Sequence, residues 1–241
     1  MNNEFKYYES SQRGVWEYNN DKSFAENGTI ALMCPECLNV IRISVAHDNT
    51  TEDILDKLDY FSTSVSYHGA CKRCGKHSLQ IPLDINIAQI VEVLNSKGYY
   101  TAFSCEGHIE KDTYETTLEI FSYPYIYFYL WNDFNILKEH PLPDTWSIDN
   151  RSIQNEIFQI YDNIIDNIPE DISCIDDEDK FIEWIYNNWN QQKRLEDIYN
   201  WAISLPEKEE SIRYSEFDYI KVYGEDILKK NAEKLMKEIE E

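Results

Sequence analysis

Four of the six cysteines form two C-x-x-C pairs, the spacing that most clearly indicates chemistry in this sequence. The pairs are Cys34-Pro-Glu-Cys37 and Cys71-Lys-Arg-Cys74, with residues 38–70 between them. A tight turn between two cysteines directs both thiolates at one metal ion, and two such turns complete a tetrahedral Zn²⁺ site. We therefore predict one structural zinc ion bound by Cys34, Cys37, Cys71 and Cys74.

The residues beside the two pairs fit a closed zinc site. Pro35 fixes the backbone where the first turn begins, and Gly75 gives the second turn an unhindered backbone. Four thiolates leave no coordination position for water or substrate, so the predicted site is structural rather than catalytic. His68 and His77 flank the second pair and are the alternative ligands if one cysteine does not bind the metal.

A second group of reactive residue types is the segment Cys105-Glu106-Gly107-His108, which follows a predicted strand. An imidazolium at His108 would lower the pKa of the Cys105 thiol and make it a nucleophile, with Glu106 orienting the ring or accepting a proton. The same cysteine and histidine could instead bind a second metal ion, or the turn at Gly107 could direct backbone amides at an anionic ligand. A purely structural interpretation, with Cys105 buried and His108 on the surface, is also open.

Several enzyme classes lack their motifs here. No H-x-E precedes the first C-x-x-C pair, and the sequence contains neither H-E-x-x-H nor G-x-S-x-G. Seven glycines, none of them clustered, exclude a glycine-rich phosphate loop. The sixth cysteine, Cys174, lies among acidic residues that would raise the pKa of its thiol, and we predict that it is inert.

The charge of the chain bears on its partners. The chain has 45 acidic and 22 basic residues, which give a formal net charge of −23. This charge repels phosphate backbones and argues against a nucleic-acid partner, although Lys72, Arg73 and Lys76 form one small basic group. An acidic surface maintains solubility or engages a basic protein, and we predict a protein partner. The sequence has no membrane-spanning run and no secretory signal at its start, which predicts a cytoplasmic protein.

Hydrophobic patterning predicts the elements that position these residues, in an α+β fold. An arm at 1–28 precedes a zinc-ribbon domain at 29–83, with strands at 29–33, 40–45, 62–67 and 79–83 and a helical turn at 51–61. An α/β unit at 84–150 has a helix from Asp84 or Asn86 to Gly98, then strands at 99–104, 114–122, 125–131 and 146–148 in an antiparallel or mixed sheet. An acidic helical region at 151–241 contains helices at 153–164, 181–205 and 225–241.

Residues 87–148 resemble a largely uncharacterised group of bacterial and phage proteins. The group has an amphipathic helix, the motif K-G-Y-x-T-x-x-S-C-x-G-H, an aromatic strand and an L-P-x-x-W turn. The chain matches the motif from Lys97 to His108 and the turn from Leu142 to Trp146. This resemblance implies that Cys105, Gly107 and His108 belong to a shared site, for which the group has no assigned reaction.

Two hypotheses about function follow, and they differ in class. In the first, the chain is a zinc-binding acidic interaction module; the bias toward Asn, Ile, Tyr and Lys is typical of an AT-rich genome, and a phage protein of this kind would engage a host protein. In the second, it is an enzyme or small-ligand receptor that uses Cys105, Glu106 and His108. One zinc ion per chain is expected if only the ribbon binds metal, and two if Cys105 and His108 also bind. The oligomeric state stays open.

Overall fold

The computed structural model describes residues 4–8, 29–44, 58–61, 64–111, 119–129, 135–149, 158–173 and 178–240. In these residues the chain is an α+β protein with antiparallel sheets and helices. Its contacts divide it into a first unit, Met1–Tyr100 with Pro206–Lys221, and a second unit, Thr101–Leu205 with Val222–Glu241. This grouping differs from the predicted domains, because the helix after Asp84 belongs with the cysteine pairs rather than with the strands that follow it.

The first unit contains a five-stranded sheet in which every neighbouring pair is antiparallel. Its strands, in chain order, are β1 (Thr29–Met33), β2 (Val40–Ser44), β3 (Leu58–Phe61), β4 (Ser64–Ala70) and β5 (His77–Leu83). Their order across the sheet is β2-β1-β5-β4-β3. The first cysteine pair lies in the connection between β1 and β2, and the second lies in the connection between β4 and β5. Since β1 and β5 are antiparallel neighbours, both connections lie at the same end of the sheet.

Most of the strands predicted around the cysteine pairs are confirmed, with small shifts at their ends. The helical turn predicted over 51–61 is wrong at its end, where Leu58–Phe61 forms β3 and pairs with β4. In the register of that pair, Leu58 lies opposite Tyr67 and Phe61 lies opposite Ser64. Sheet pairing therefore overrides the local helical pattern. Residues 51–57 lie outside the described part of the chain.

The helix α1 (Ile85–Ser96) follows β5 and covers the sheet. Asp84 precedes it as the N-terminal cap residue and Gly98 lies just beyond its end, as predicted. Its apolar side packs on residues from β1, β2 and the first cysteine turn. The buried members of this core are Ala31, Met33, Leu38, Val40, Ile85, Ala88 and Val91. The core thus lies directly beneath one of the two cysteine turns.

A short extended segment of the predicted N-terminal arm, residues 4–8, is bound along α1. The Asn86 side chain accepts from the Tyr8 amide at 2.8 Å and donates to the Tyr8 carbonyl at 3.1 Å. Gln89 repeats this pattern on Lys6, accepting at 3.1 Å and donating at 2.7 Å. Two carboxamides one helical turn apart therefore bind alternate residues of an extended backbone. Residues 1–3 and 9–28 are outside the described ranges.

The second unit contains a four-stranded antiparallel sheet of order β10-β11-β9-β6 and a separate two-stranded sheet, β7-β8. The strands are β6 (Thr101–Cys105), β7 (His108–Lys111), β8 (Glu119–Ser122), β9 (Tyr125–Phe128), β10 (Trp146–Ile148) and β11 (Phe158–Asp162). The helices are α2 (Ile136–Glu139), a 3₁₀ helix (Asn163–Asn167), α3 (Glu170–Ser173), α4 (Glu178–Asn188) and α5 (Gln191–Ser204). The last helix, α6 (Glu210–Glu240), contributes residues to both units. No helix among the described residues is long and apolar enough to cross a membrane.

Two helix predictions in the C-terminal region are wrong. In place of a helix over 153–164, the structure has β11 followed by the 3₁₀ helix. The helix was predicted from Ile153, Ile157, Ile160, Tyr161 and Ile164 at helical spacing, but β11 pairs with β9 and β10, and this pairing overrides the local pattern. The single helix predicted over 181–205 is two helices, because the Asn190 side chain accepts from the Lys193 amide at 3.0 Å and starts α5.

Candidate metal centre and the Cys105 turn

The four cysteines of the two C-x-x-C pairs converge. The Sγ atoms of Cys34, Cys37, Cys71 and Cys74 all lie within 4.8 Å of one another. Two of their separations are 3.9 Å, between Cys34 and Cys74, and 3.7 Å, between Cys37 and Cys71. A tetrahedron with metal–sulfur bonds of about 2.3 Å has edges of about 3.8 Å, whereas a disulfide bond is about 2.05 Å long. The four thiols are free, and their arrangement can hold one metal ion.

The two cysteine turns have the same backbone hydrogen bonds. In the first turn, the Leu38 amide donates to the Cys34 carbonyl at 2.8 Å, and the Cys34 amide donates to the Asn39 carbonyl at 3.0 Å. The second turn repeats both bonds around Cys71, at 2.8 Å and 2.9 Å. This repetition brings two separate segments to one point with equivalent geometry. It is the arrangement expected of two C-x-x-C turns that share an ion.

Burial and backbone amides act unequally on the four thiols. Burial raises the pKa of Cys71, but amide donors from Cys74 and Arg73 and the neighbouring thiols outweigh it and lower that pKa to about 7. The Arg73 amide donates to the Cys71 Sγ at 3.4 Å. Burial raises the pKa of Cys37 to about 12, and the adjacent sulfurs add to the increase. Four thiolates at this spacing repel one another, so a cation must replace their protons for all four to ionise.

Polar side chains connect the tips of the two turns. Glu36, in the first turn, forms ion pairs with Lys76 at 3.1 Å and with Lys221 of α6 at 3.2 Å. Hydrogen bonds from both lysines lower the pKa of Glu36. The small basic group noted in the sequence is therefore partly neutralised by its own chain, which leaves less positive charge for a phosphate backbone.

The alternative histidine ligands are not needed at this centre. His77 is exposed at the start of β5, and all four cysteines already lie together. His68 is in β4, and its side chain lies outside the described part of the structure. The four predicted cysteine ligands are thus the residues of the cluster.

The Cys105 turn is buried and closely packed. Cys105 ends β6, and the Gly107 amide donates to its Sγ at 3.3 Å. Gly107 has a φ of 75°, and a Cβ atom there would lie 2.5 Å from Cδ of Pro124. Glycine is therefore required both by the backbone conformation and by the close approach of the proline. Cys105 and Glu106 are both buried, so neither side chain is presented openly to solvent.

Gln191, in the first turn of α5, holds this segment, and sequence reasoning missed it. Its Nε2 donates to the carbonyls of Glu106, at 2.8 Å, and Gly107, at 2.6 Å. The signal that could have found it is Asn190, a helix-starting residue type inside a predicted continuous helix. The backbone of His108 begins β7, but its side chain lies outside the described residues. The pairing of Cys105 with His108 stays a prediction, and Cys174 also lies outside the described ranges.

A buried ion pair lies at the start of the 3₁₀ helix and was also missed. Asp162 pairs with Arg194, and it accepts from the Ile164 amide at 2.9 Å and from Trp189 Nε1 at 3.1 Å. Burial raises the pKa of Asp162 despite these partners. Arg194 and Gln191 are on the same helix, α5, which thereby holds both the Cys105 turn and the end of β11. Because Asp162 binds a backbone amide, an indole and a guanidinium of its own chain, we interpret it as a structural residue.

No protein-family model, curated protein or solved structure matches this chain. The resemblance of residues 87–148 to bacterial and phage proteins stays a prediction.

Proposed function

We propose that the chain is a protein-binding module whose first unit is a zinc ribbon. The observation that carries this proposal is the cluster of four cysteine sulfurs within 4.8 Å, formed by two equivalent turns. Cysteine ligands at tetrahedral spacing favour Zn²⁺ among the common metals. Cys34, Cys37, Cys71 and Cys74 would hold the ion, which would tie the β1–β2 and β4–β5 connections together.

A four-thiolate centre supports a structural role for the ion. It leaves no open position at which water or substrate could bind, unlike a catalytic zinc site with three protein ligands. Structural zinc sites contribute an apparent binding free energy of about 10–16 kcal/mol to folding in small peptides. The metal would therefore stabilise the first unit, and recognition would take place on the surface of the protein.

The charge supports a basic protein as the partner. With a net charge of −23, the chain attracts positively charged surfaces and repels nucleic acid. Complementary charge raises association rates and selects against acidic partners. In the cytoplasm of a bacterium, or of a bacterium infected by a phage that encodes this chain, the partner would be a basic host protein.

The test uses the full chain with an affinity tag. We expect one zinc ion per chain by elemental analysis, and recovery of a basic protein from bacterial lysate in amounts that fall with added salt. Cys71→Ser should lose both the metal and the partner, because the first unit loses its fold. Cys105→Ser is the matched control and should retain both. A chain that purifies without metal, or that recovers no protein from lysate at low salt, contradicts the proposal.

An enzyme or small-ligand receptor at the Cys105 turn is the second candidate. The Gly107 amide donates a hydrogen bond to the Cys105 sulfur, and such a donor stabilises a thiolate. In addition, Gln191 fixes the backbone of the turn through hydrogen bonds to the Glu106 and Gly107 carbonyls. A Cys105 thiol that reacts much faster than Cys174 at neutral pH, or a second metal ion lost in Cys105→Ser, would favour this candidate. Equal labelling rates and one metal ion per chain would exclude it.

A further inference from the structure

One face of the four-stranded sheet of the second unit is aromatic. In the register of the sheet, Tyr161 lies opposite Tyr125, and Tyr127 lies opposite Phe103. Alternate residues of a strand project from the same face, so these four side chains share one face. Tyr123, just before β9, joins them through ring contacts with Tyr125 and Tyr161. We call this surface the tyrosine face: Phe103, Tyr123, Tyr125, Tyr127 and Tyr161.

The opposite face of the same sheet is the core of the second unit. Ile126, Phe128, Phe158 and Ile160 are all at most 1% exposed. On the tyrosine face, by contrast, Phe103 is 55% exposed and the tyrosines are partly exposed. The core face is therefore covered, whereas the tyrosine face is only partly exposed: Cys105 and Gln159, which the register places on that same face, are buried. Core packing accounts for the apolar residues of the covered face. It does not account for Phe103, a phenylalanine exposed on the tyrosine face.

The rings of the tyrosine face meet at steep angles. Tyr123 and Tyr125 have centroids 6.4 Å apart and planes at 66°, and Tyr123 and Tyr161 are 5.9 Å apart at 66°. Tyr125 and Tyr127 are 5.4 Å apart at 78°. Rings set edge to face form corners lined by more than one π surface. Such corners are the geometry with which proteins surround a cationic group.

The charges at this face are negative. The Tyr161 hydroxyl donates to Asp166 Oδ2 at 2.9 Å. Burial, this hydrogen bond and the charges of Asp166 and Asp149 raise the pKa of Tyr161 to about 12. Neither lysine nor arginine occurs within β6, β9, β10, β11 or the 3₁₀ helix. Arg194, which reaches the end of β11 from α5, is paired with the buried Asp162. A cation approaching the rings therefore meets carboxylates and no competing positive charge on these elements.

We propose that the tyrosine face binds a cationic side chain, an arginine or lysine in a basic segment of the partner protein. This inference rests on the proposed function, because it names the surface and the chemical group through which the module would recognise its partner. Electron-rich ring faces attract the cation, and the carboxylates of Asp149 and Asp166 add charge complementarity. A nucleic acid could also stack on exposed rings, but it requires cations along its backbone, and these strands supply none.

The test is direct binding of a short labelled peptide in which one arginine is flanked by serines. Its matched probe carries citrulline, which has nearly the same shape without the charge. We expect the arginine peptide to bind the full chain and the citrulline peptide to bind far more weakly. Phe103→Leu and Tyr127→Leu should each weaken binding roughly two- to fivefold, the loss expected for one cation–π contact. Tyr127→Phe keeps the ring and should retain the affinity.

The control variant is Tyr186→Leu, which removes a tyrosine that is 62% exposed on α4 of the same unit. It should leave peptide affinity unchanged, which separates the tyrosine face from general attraction to an acidic protein. Unfolding measurements on each variant establish that the sheet is intact. The inference is overturned if the two peptides bind equally, if Tyr127→Leu binds as wild type does, or if Tyr186→Leu weakens binding as much. It is also overturned if only an uncharged oligosaccharide or a single-stranded nucleic acid binds the face.

Recovery of lysate protein by the Tyr127→Leu variant separates the tyrosine face from the protein-binding role. If lysate protein is recovered equally by wild type and by Tyr127→Leu, the module binds a partner through another surface. If no lysate protein is recovered while the arginine peptide binds in a ring-dependent manner, the protein-binding role fails and the tyrosine face remains a site for cations.

Discussion

Leu38 and Gly75 occupy equivalent positions in the two cysteine turns and share a left-handed backbone. Each lies four residues after the first cysteine of its pair, with φ values of 52° and 72°. Glycine adopts this conformation freely, whereas leucine does so at a cost of roughly 1–2 kcal/mol. The leucine is kept because its side chain is buried in the core beneath α1. In the first turn, burial of the Leu38 side chain offsets the unfavourable backbone conformation. The second turn has glycine at this position, which is exposed to solvent.

Alanine substitutions separate these two contributions. In Gly75→Ala the new Cβ meets nothing within 4 Å, so only the backbone conformation is penalised, by about 1 kcal/mol. Leu38→Ala retains the same backbone penalty and loses a buried side chain, at about 2–5 kcal/mol. Chemical denaturation of the metal-loaded chain should rank Leu38→Ala as clearly less stable. Equal losses would show that Leu38 is not part of the core.

Gln191 should control the accessibility of Cys105. Gln191→Ala removes both hydrogen bonds to the Glu106 and Gly107 carbonyls, and we expect the free energy of unfolding to fall by about 1–3 kcal/mol. The Cys105 thiol should then react faster with a thiol reagent, because the turn opens more often. Gln192→Ala, at the exposed neighbouring position, is the control and should leave labelling unchanged. Unchanged labelling in Gln191→Ala as well would mean that the turn is held by other contacts.

The buried ion pair predicts a large effect from a small chemical change. Asp162→Asn leaves the Arg194 guanidinium buried without a counter-charge, which should reduce the free energy of unfolding by about 3–5 kcal/mol. Lys193→Met breaks the exposed ion pair between Lys193 and Asp197, and it should lower the free energy of unfolding by less than about 1 kcal/mol. Denaturation curves measure both. Similar small losses in the two variants would mean that Arg194 finds another partner.

Tyr161 should make stability depend on alkaline pH. Its pKa is raised from the usual value of 10 to about 12 in the folded chain, so folding favours the protonated phenol. That stabilisation is complete below pH 10 and is lost as the pH rises through 12. Tyr161→Phe has no phenol to ionise, and its free energy of unfolding should fall less steeply in this interval. Tyr186→Phe is the control; if it flattens the curve to the same degree, Tyr161 is not the group responsible.

The cluster of four cysteines could be predicted from sequence because its signal is local. A C-x-x-C turn positions its own two ligands, and an adjacent pair of antiparallel strands brings the turns together. The strands around these turns and the helix from Ile85 also follow local patterns. Cys34 approaches Cys74 because the β1–β2 and β4–β5 connections lie at the same end of the sheet.

The remaining features depend on contacts between distant residues. Gln191 reaches the Cys105 turn across the chain, and nothing beside Cys105 in the sequence indicates it. The strand Phe158–Asp162 was predicted as part of a helix because Ile153, Ile157, Ile160, Tyr161 and Ile164 recur at helical spacing, and its pairing with β9 and β10 depends on residues far away in the chain. The tyrosine face emerges only from the register between strands, because Phe103, Tyr127 and Tyr161 belong to three separate segments.

Elemental analysis of the purified full chain, combined with counting of reactive thiols, tests the proposed zinc ribbon most directly. We predict one zinc ion per chain, with Cys34, Cys37, Cys71 and Cys74 protected from labelling until the metal is removed by a chelator. The same metal content should persist in Cys105→Ser and disappear in Cys34→Ser. A chain that contains no zinc, or whose four cysteines are joined as disulfides, would contradict the proposed metal centre.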